Sequence, residues 1–226
     1  IKVDEQITCL VGKNEAGKTA LLTALYRTNP IIEDQATFDE TYDYPKREVE
    51  NYRFAVENED RDEAVVVEAL YELDDSDLEV ITENFGPNVL KNRTFTRQTF
   101  YGKNKSHFIL PVDDAAARDH LANNPALTEE VKTSLKKAID WDEFANILDN
   151  TEVTEAVTAL KKIVAQVRDN GLDNYIFTSL IWPRAPRFLY FDEYYQMKGQ
   201  ANLNALIQRE NNNKLEGAGN YLTGRI

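Results

Sequence analysis

An α/β fold is predicted by three observations. A short apolar, β-favouring run, Ile7, Thr8, Cys9, Leu10 and Val11, leads into a glycine-bounded loop and then a helical stripe of Leu21, Leu22 and Leu25. The loop itself, Gly12-Lys13-Asn14-Glu15-Ala16-Gly17-Lys18-Thr19, spells G-x-x-x-x-G-K-T, the pattern of a phosphate-binding P-loop. Further along, a block of helical periodicity separates two β-favouring regions.

Each part of the loop has a chemical reason. Gly12 and Gly17 permit backbone angles that a side chain disfavours, so successive N–H groups can turn inward on an anion. The expected cradle runs over Gly12, Lys13, Asn14, Glu15, Ala16, Gly17, Lys18, Thr19 and Ala20. The helix beginning near Lys18 directs free N–H groups and its positive dipole end at the same place. Lys18 supplies a mobile charge for the β- and γ-phosphates and is the candidate catalytic residue. The Thr19 hydroxyl is the candidate Mg²⁺ ligand, so ATP and Mg²⁺ are the expected cofactors. The bland alternative, a glycine turn that fits by accident, has a chance on the order of 1% in a chain of this length.

The bulk properties narrow the class. The 226 residues are 42% apolar, enough to bury a sizeable core, and carry a net charge of −13. That charge argues against nucleic-acid binding by the whole surface. A single cysteine, Cys9, excludes a disulfide framework, fits a reducing cytoplasmic setting and reads as a small buried hydrophobe in its strand. No run of 18 apolar residues exists, so no membrane span is expected.

In chain order, Pro30 ends the first helix. Residues 29–62 read as a loop with short elements, with Tyr42, Tyr44 and Tyr52 covering the edge of the core. Residues 63–73 read as a strand, and the Asp74-Asp75-Ser76-Asp77 turn caps a short helix that ends near Gly86-Pro87. Residues 91–109 read as a hairpin with a Gly102-Lys103-Asn104-Lys105 turn. This hairpin is a basic island of Lys91, Arg93, Arg97, Lys103 and Lys105 without an acid. It reads either as a phosphate-backbone contact to DNA or as an exposed hairpin whose lysines block edge pairing. Helices are expected over 114–121, 127–139, 141–148 and 152–170, the last with Thr151 at its N-cap, Gly171 at C′ and a stripe that begins at Val153. This helical block either packs as a lobe of its own or binds a partner. His107 and His120 are isolated from other ligand types, which speaks against zinc.

The loop resembles the GxNxxGK[ST] loop of ABC-type ATPases of the RecF and SMC group. The longer string GKNEAGKTALLTALY is similar to that of the OLD family of bacterial anti-phage ATPases. Glu15 stands where transporter subunits carry glycine, which favours this branch. The Asp43-Tyr44-Pro45-Lys46-Arg47 string is similar to one that follows the loop helix in OLD-like ATPases. The resemblance implies an ABC-type ATPase lobe with an antiparallel β-subdomain and a helical insertion. The expected domains are a core over 1–113, an insertion over 114–171 and a return to the core over 172–226. It further implies a homodimer or higher homo-oligomer that controls a nucleic-acid-directed effector in anti-phage defence or DNA repair, with the basic hairpin as the place for DNA. The alternative is a nucleotide-gated scaffold that binds ATP, hydrolyses it poorly and holds a separate effector protein.

Phe188-Leu189-Tyr190-Phe191-Asp192-Glu193 has the shape of a Walker B strand. No signature motif precedes it, and the string PRFLYFDEYYQMKGQANLNAL resembles the Q-loop region of RecF and OLD proteins. Walker B, Q-loop region and plain core strand all stand as readings, with Gln196 and Gln200 as sensing candidates. No signature motif or Toprim acidic set is found. The chain, which begins at Ile1, is accordingly expected to be the N-terminal portion, or an ordered subset, of a longer protein.

Overall fold

Most helices of this chain begin at a side chain that can accept a backbone N–H. The computed structural model describes residues 1–13, 15–32, 35–102, 105–190 and 207–208. Helix α1 (Lys18–Thr28) is followed by α2 (Glu40–Asp43), α3 (Val49–Glu57), strand β1 (Val65–Glu72), α4 (Asp75–Phe85), β2 (Thr94–Phe100) and β3 (Ser106–Ile109). Helices α5 (Asp114–Ala122), α6 (Glu129–Leu135), α7 (Trp141–Asp149), α8 (Glu155–Asn170) and α9 (Leu172–Tyr175) complete it. Asp39, Asp74, Asp113, Thr128, Asp140 and Thr154 accept a backbone N–H at the starts of α2, α4, α5, α6, α7 and α8 respectively. At α4 the exchange is reciprocal, a full capping box between Asp74 and Asp77. Helices α1, α3 and α9 start without a side-chain cap among the described residues, and of these three α1, which starts at Gly17, also has no acid in its first turn.

The chain divides into two compact units. One comprises Glu68–Gln98 and Ser106–Ala185. Its sheet is antiparallel in the order β1-β2-β3, and a core of buried apolar side chains, with Phe85 and Phe144 fully covered, joins the sheet to α4–α9. Tyr71 stacks on Phe95 at 4.7 Å, and Phe108 stacks on Phe177 at 4.0 Å. The helices share one core with the β-hairpin. The buried stripe of α8, Val157, Leu160, Val164 and Val167, belongs to this core.

The start of α8 is also corrected. Thr154, not Thr151, is the cap, because its hydroxyl accepts from the Val157 N–H at 3.2 Å. Val153 falls outside the helix and is 75% exposed. At the other end Gly171 has φ 92, and a Cβ there would meet Asp173 Oδ1 at 2.7 Å. Beyond it α9 runs into a π-helical turn, Ile176–Ile181, and a 3₁₀ turn, Trp182–Arg184.

The other unit comprises Ile1–Val67, Thr99–Lys105 and Pro186–Ile226. Its buried side chains are fewer, chiefly Tyr26, Phe38, Val49 and Tyr52. Tyr44 stacks on Tyr52 at 4.5 Å, and Tyr101 meets both rings edge-on. Burial and the nearby Asp43 carboxylate push the Tyr101 hydroxyl above its ordinary pKa. Tyr42, expected at the core edge, is exposed. The nine-residue helix α3 replaces part of the expected loop, and Arg53 on it pairs with Glu40 at 2.8 Å.

The run before the P-loop forms no strand. Ile7 and Val11 are exposed, and Cys9 is exposed rather than buried. A β-run is stabilised by pairing and burial, and no described strand lies beside it. Just after α1 the chain makes an isolated parallel bridge between Pro30 and Phe188. The Ile31 N–H donates to the Phe188 carbonyl at 3.0 Å, and the Phe188 N–H donates to that of Asn29 at 2.8 Å. Asp192, Glu193, Gln196 and Gln200 lie outside the described residues. Among the described residues no helix is long and apolar enough to cross a membrane.

Candidate functional site

Two left-handed residues shape the loop. Glu15 has φ 65 and Gly17 has φ 80, two positive-φ residues within three positions. The turn is closed by an Ala16 N–H bond to the Lys13 carbonyl at 3.3 Å. At Gly17 a Cβ would meet nothing within 4 Å, so the positive φ, rather than crowding, makes glycine the suitable residue. At Gly12 a Cβ would touch Ala16 Cβ at 3.6 Å, an ordinary contact.

Helix α1 then presents an open end. Its first intrahelical bond runs from the Leu21 N–H to the Gly17 carbonyl at 3.0 Å, so the N–H groups of Lys18, Thr19 and Ala20 precede the helical ladder. The first turn carries no acid, and Arg27 lies in the last turn, which leaves the positive end of the dipole unneutralised and the negative end compensated. Lys18 folds back over the loop: its Nζ donates to the carbonyls of Gly12 at 2.8 Å and Lys13 at 2.6 Å. Thus Gly12, Lys13, Glu15, Ala16, Gly17, Lys18, Thr19 and Ala20 are contiguous in one loop and helix start. Asn14 lies outside the described residues.

The donor set fits an anion, and it fits a metal only in company. Thr19 is exposed and free of acidic neighbours in the first turn. Among the described residues no group of three or more His, Cys, Asp or Glu side chains gathers. A magnesium ion at Thr19 would therefore rely on phosphate oxygens and water for its remaining ligands.

The basic hairpin presents a different picture. Arg93 pairs with Asp75, and Lys105 pairs with Glu63. Arg97 lies over the Trp182 ring at 4.5 Å and donates to Ser106 Oγ at 3.2 Å, and burial pushes its pKa down. Lys91 is exposed without an ion-pair partner among the described residues, and Lys103 lies outside them. Most of the described cations in this island are thus already engaged by the chain itself. Sequence reading missed the Arg97–Trp182 pair, and no local signal announces it, because Trp182 lies in an irregular helical stretch far along the chain.

No family model, curated protein or solved structure matches this chain.

Proposed function

We propose that the chain binds ATP through residues 12–20 and acts as an ATPase of the ABC type, similar to OLD, RecF and SMC proteins, that controls a nucleic-acid-directed effector. The observation that carries the reading is the conjunction of a left-handed Glu15 and Gly17 with an uncapped, acid-free helix start. A helix of 11 residues whose siblings are mostly capped by their own side chains leaves this one end for an external anion.

In this reading the loop N–H groups and those of Lys18, Thr19 and Ala20 hold the phosphates. Lys18 exchanges its bonds to the Gly12 and Lys13 carbonyls for the β- and γ-phosphate oxygens. The Thr19 hydroxyl would hold a magnesium ion, which would supply charge neutralisation at the phosphates. Because Lys18 already makes two hydrogen bonds, nucleotide binding replaces interactions rather than adding them, and the gain comes from charge pairing.

The test is calorimetric titration with ATP, ADP and AMP, each with magnesium and with EDTA, followed by steady-state phosphate release. Binding that strengthens from AMP to ATP and depends on magnesium supports the reading. Equal affinity for all three, or none, overturns it. Tight ATP binding without turnover moves the assignment to the nucleotide-gated scaffold.

A further inference from the structure

A cavity lies among the helices of the unit that comprises Glu68–Gln98 and Ser106–Ala185. It is an open cleft of about 640 Å³ between α6, α7 and the start of α8. That volume lies in the range of ligand sites. Its floor is apolar, with Leu127 and Val157 buried and Val131 and Ile147 half-buried.

The rim separates into two kinds of polar group. The first kind is already used: Thr128 accepts from the Val131 N–H, Ser134 donates to the Glu130 carbonyl, Asn150 to that of Asn146 and Thr151 to that of Ile147. The second kind is not: the side chains of Glu130, Glu152 and Asn146 have no hydrogen-bond or ion-pair partner among the described residues. No Lys, Arg or His lines the cleft. The neighbouring Glu129 has Lys132 at 2.8 Å, so the lysine two positions beyond Glu130 pairs with a carboxylate that does not line the cleft.

We infer that this cleft is a docking groove for a peptide segment of a partner protein in which an apolar side chain is flanked by Lys or Arg. The apolar residue seats on the Leu127–Val157 floor, and the cations meet Glu130 and Glu152. Charge complementarity selects a basic partner, since both rim charges are negative and nothing in the lining offsets them.

The experiment is a display selection of random 12-residue peptides against the full chain, followed by fluorescence anisotropy on the enriched sequences. Three proteins are compared: the parent, Glu130→Gln with Glu152→Gln, and a control with Glu79→Gln and Glu83→Gln on the exposed face of α4. The expected result is enrichment of apolar residues flanked by Lys or Arg, with affinity falling about tenfold in the cleft variant. Less than twofold change is expected in the control. Enrichment of another composition, no enrichment, or equal losses in the two variants overturns the inference. Displacement of the peptides by spermidine at comparable concentration, with the same dependence on Glu130 and Glu152, assigns the cleft to small amines and overturns it as well.

Discussion

The Lys18 ammonium donates to the carbonyl oxygen of Gly12 at 2.8 Å, spanning the P-loop from its helical end to its first glycine. The lysine thus has a role in the loop before any phosphate arrives. Lys18→Ala is expected to leave the fold intact, since both partners lie at the exposed end of the unit. ATP affinity should fall about 10- to 100-fold, the equivalent of a charged hydrogen bond of roughly 1.5–3 kcal/mol. Hydrolysis, where it occurs, should fall by several orders of magnitude, because charge stabilisation dominates phosphoryl transfer. Calorimetry and phosphate release check the two effects, with circular dichroism as the folding control. Unchanged binding would place the nucleotide elsewhere.

Gly17 gives a prediction with a different cause. A Cβ there meets open space, but φ is 80. Gly17→Ala should therefore cost about 1–2 kcal/mol of local backbone energy and no steric clash. Gly17→Asn should cost less, because Asn tolerates the left-handed region. Gly17→Val should cost more than either. The order Asn, Ala, Val in declining ATP affinity would bear this out, and equal effects would not.

The hairpin cations are expected to matter more to folding than to nucleic acid. Arg97→Gln removes a half-buried guanidinium from the Trp182 ring and should lower stability by about 1–2 kcal/mol in urea titration. If the hairpin does meet DNA, Arg97→Gln with Lys105→Gln should also flatten the salt dependence of binding. Lost stability with an unchanged salt slope would leave these residues a structural role only.

Legibility followed locality. The hairpin, α4 and α5 were readable because alternation and cap residues lie within the elements themselves. The turn over residues 12–20 and the helix start that follows it are local in the same way, since Glu15, Gly17 and Lys18 are near neighbours in sequence. Helix α3 was not, because its buried side consists of only Val49 and Tyr52, too few for a 3.6-residue stripe. Residues 172–184 escaped because a π-helical turn breaks that period. The fate of the basic island was hidden because Asp75, Glu63 and Trp182 are distant in sequence from Arg93, Lys105 and Arg97. Ile7 to Val11 shows the converse, a strand propensity that pairing among the described residues does not realise.

The acid limb of stability should trace to helix caps. The Asp77 N–H and the Ser76 hydroxyl hold the Asp74 carboxyl below its ordinary pKa, and the Ala116 N–H does the same for Asp113. A depressed folded pKa means that the stabilisation is present above the unfolded value and is lost as pH falls through the folded one. Urea midpoints should therefore drop below about pH 4. Asp74→Asn with Asp113→Asn should shrink that drop while keeping an acceptor at each cap. Thr154→Ala, by contrast, should cost about 1 kcal/mol at every pH, because its hydroxyl does not titrate.

The exposed Cys9 has a practical consequence. It is the sole thiol of the 226 residues and lies three positions before Gly12. A maleimide fluorophore attached there would label the chain at one point, without engineered cysteines, next to the loop whose occupancy is in question. Emission followed during rapid mixing with nucleotide would then report arrival and departure rates at that loop, quantities that calorimetry leaves unseen.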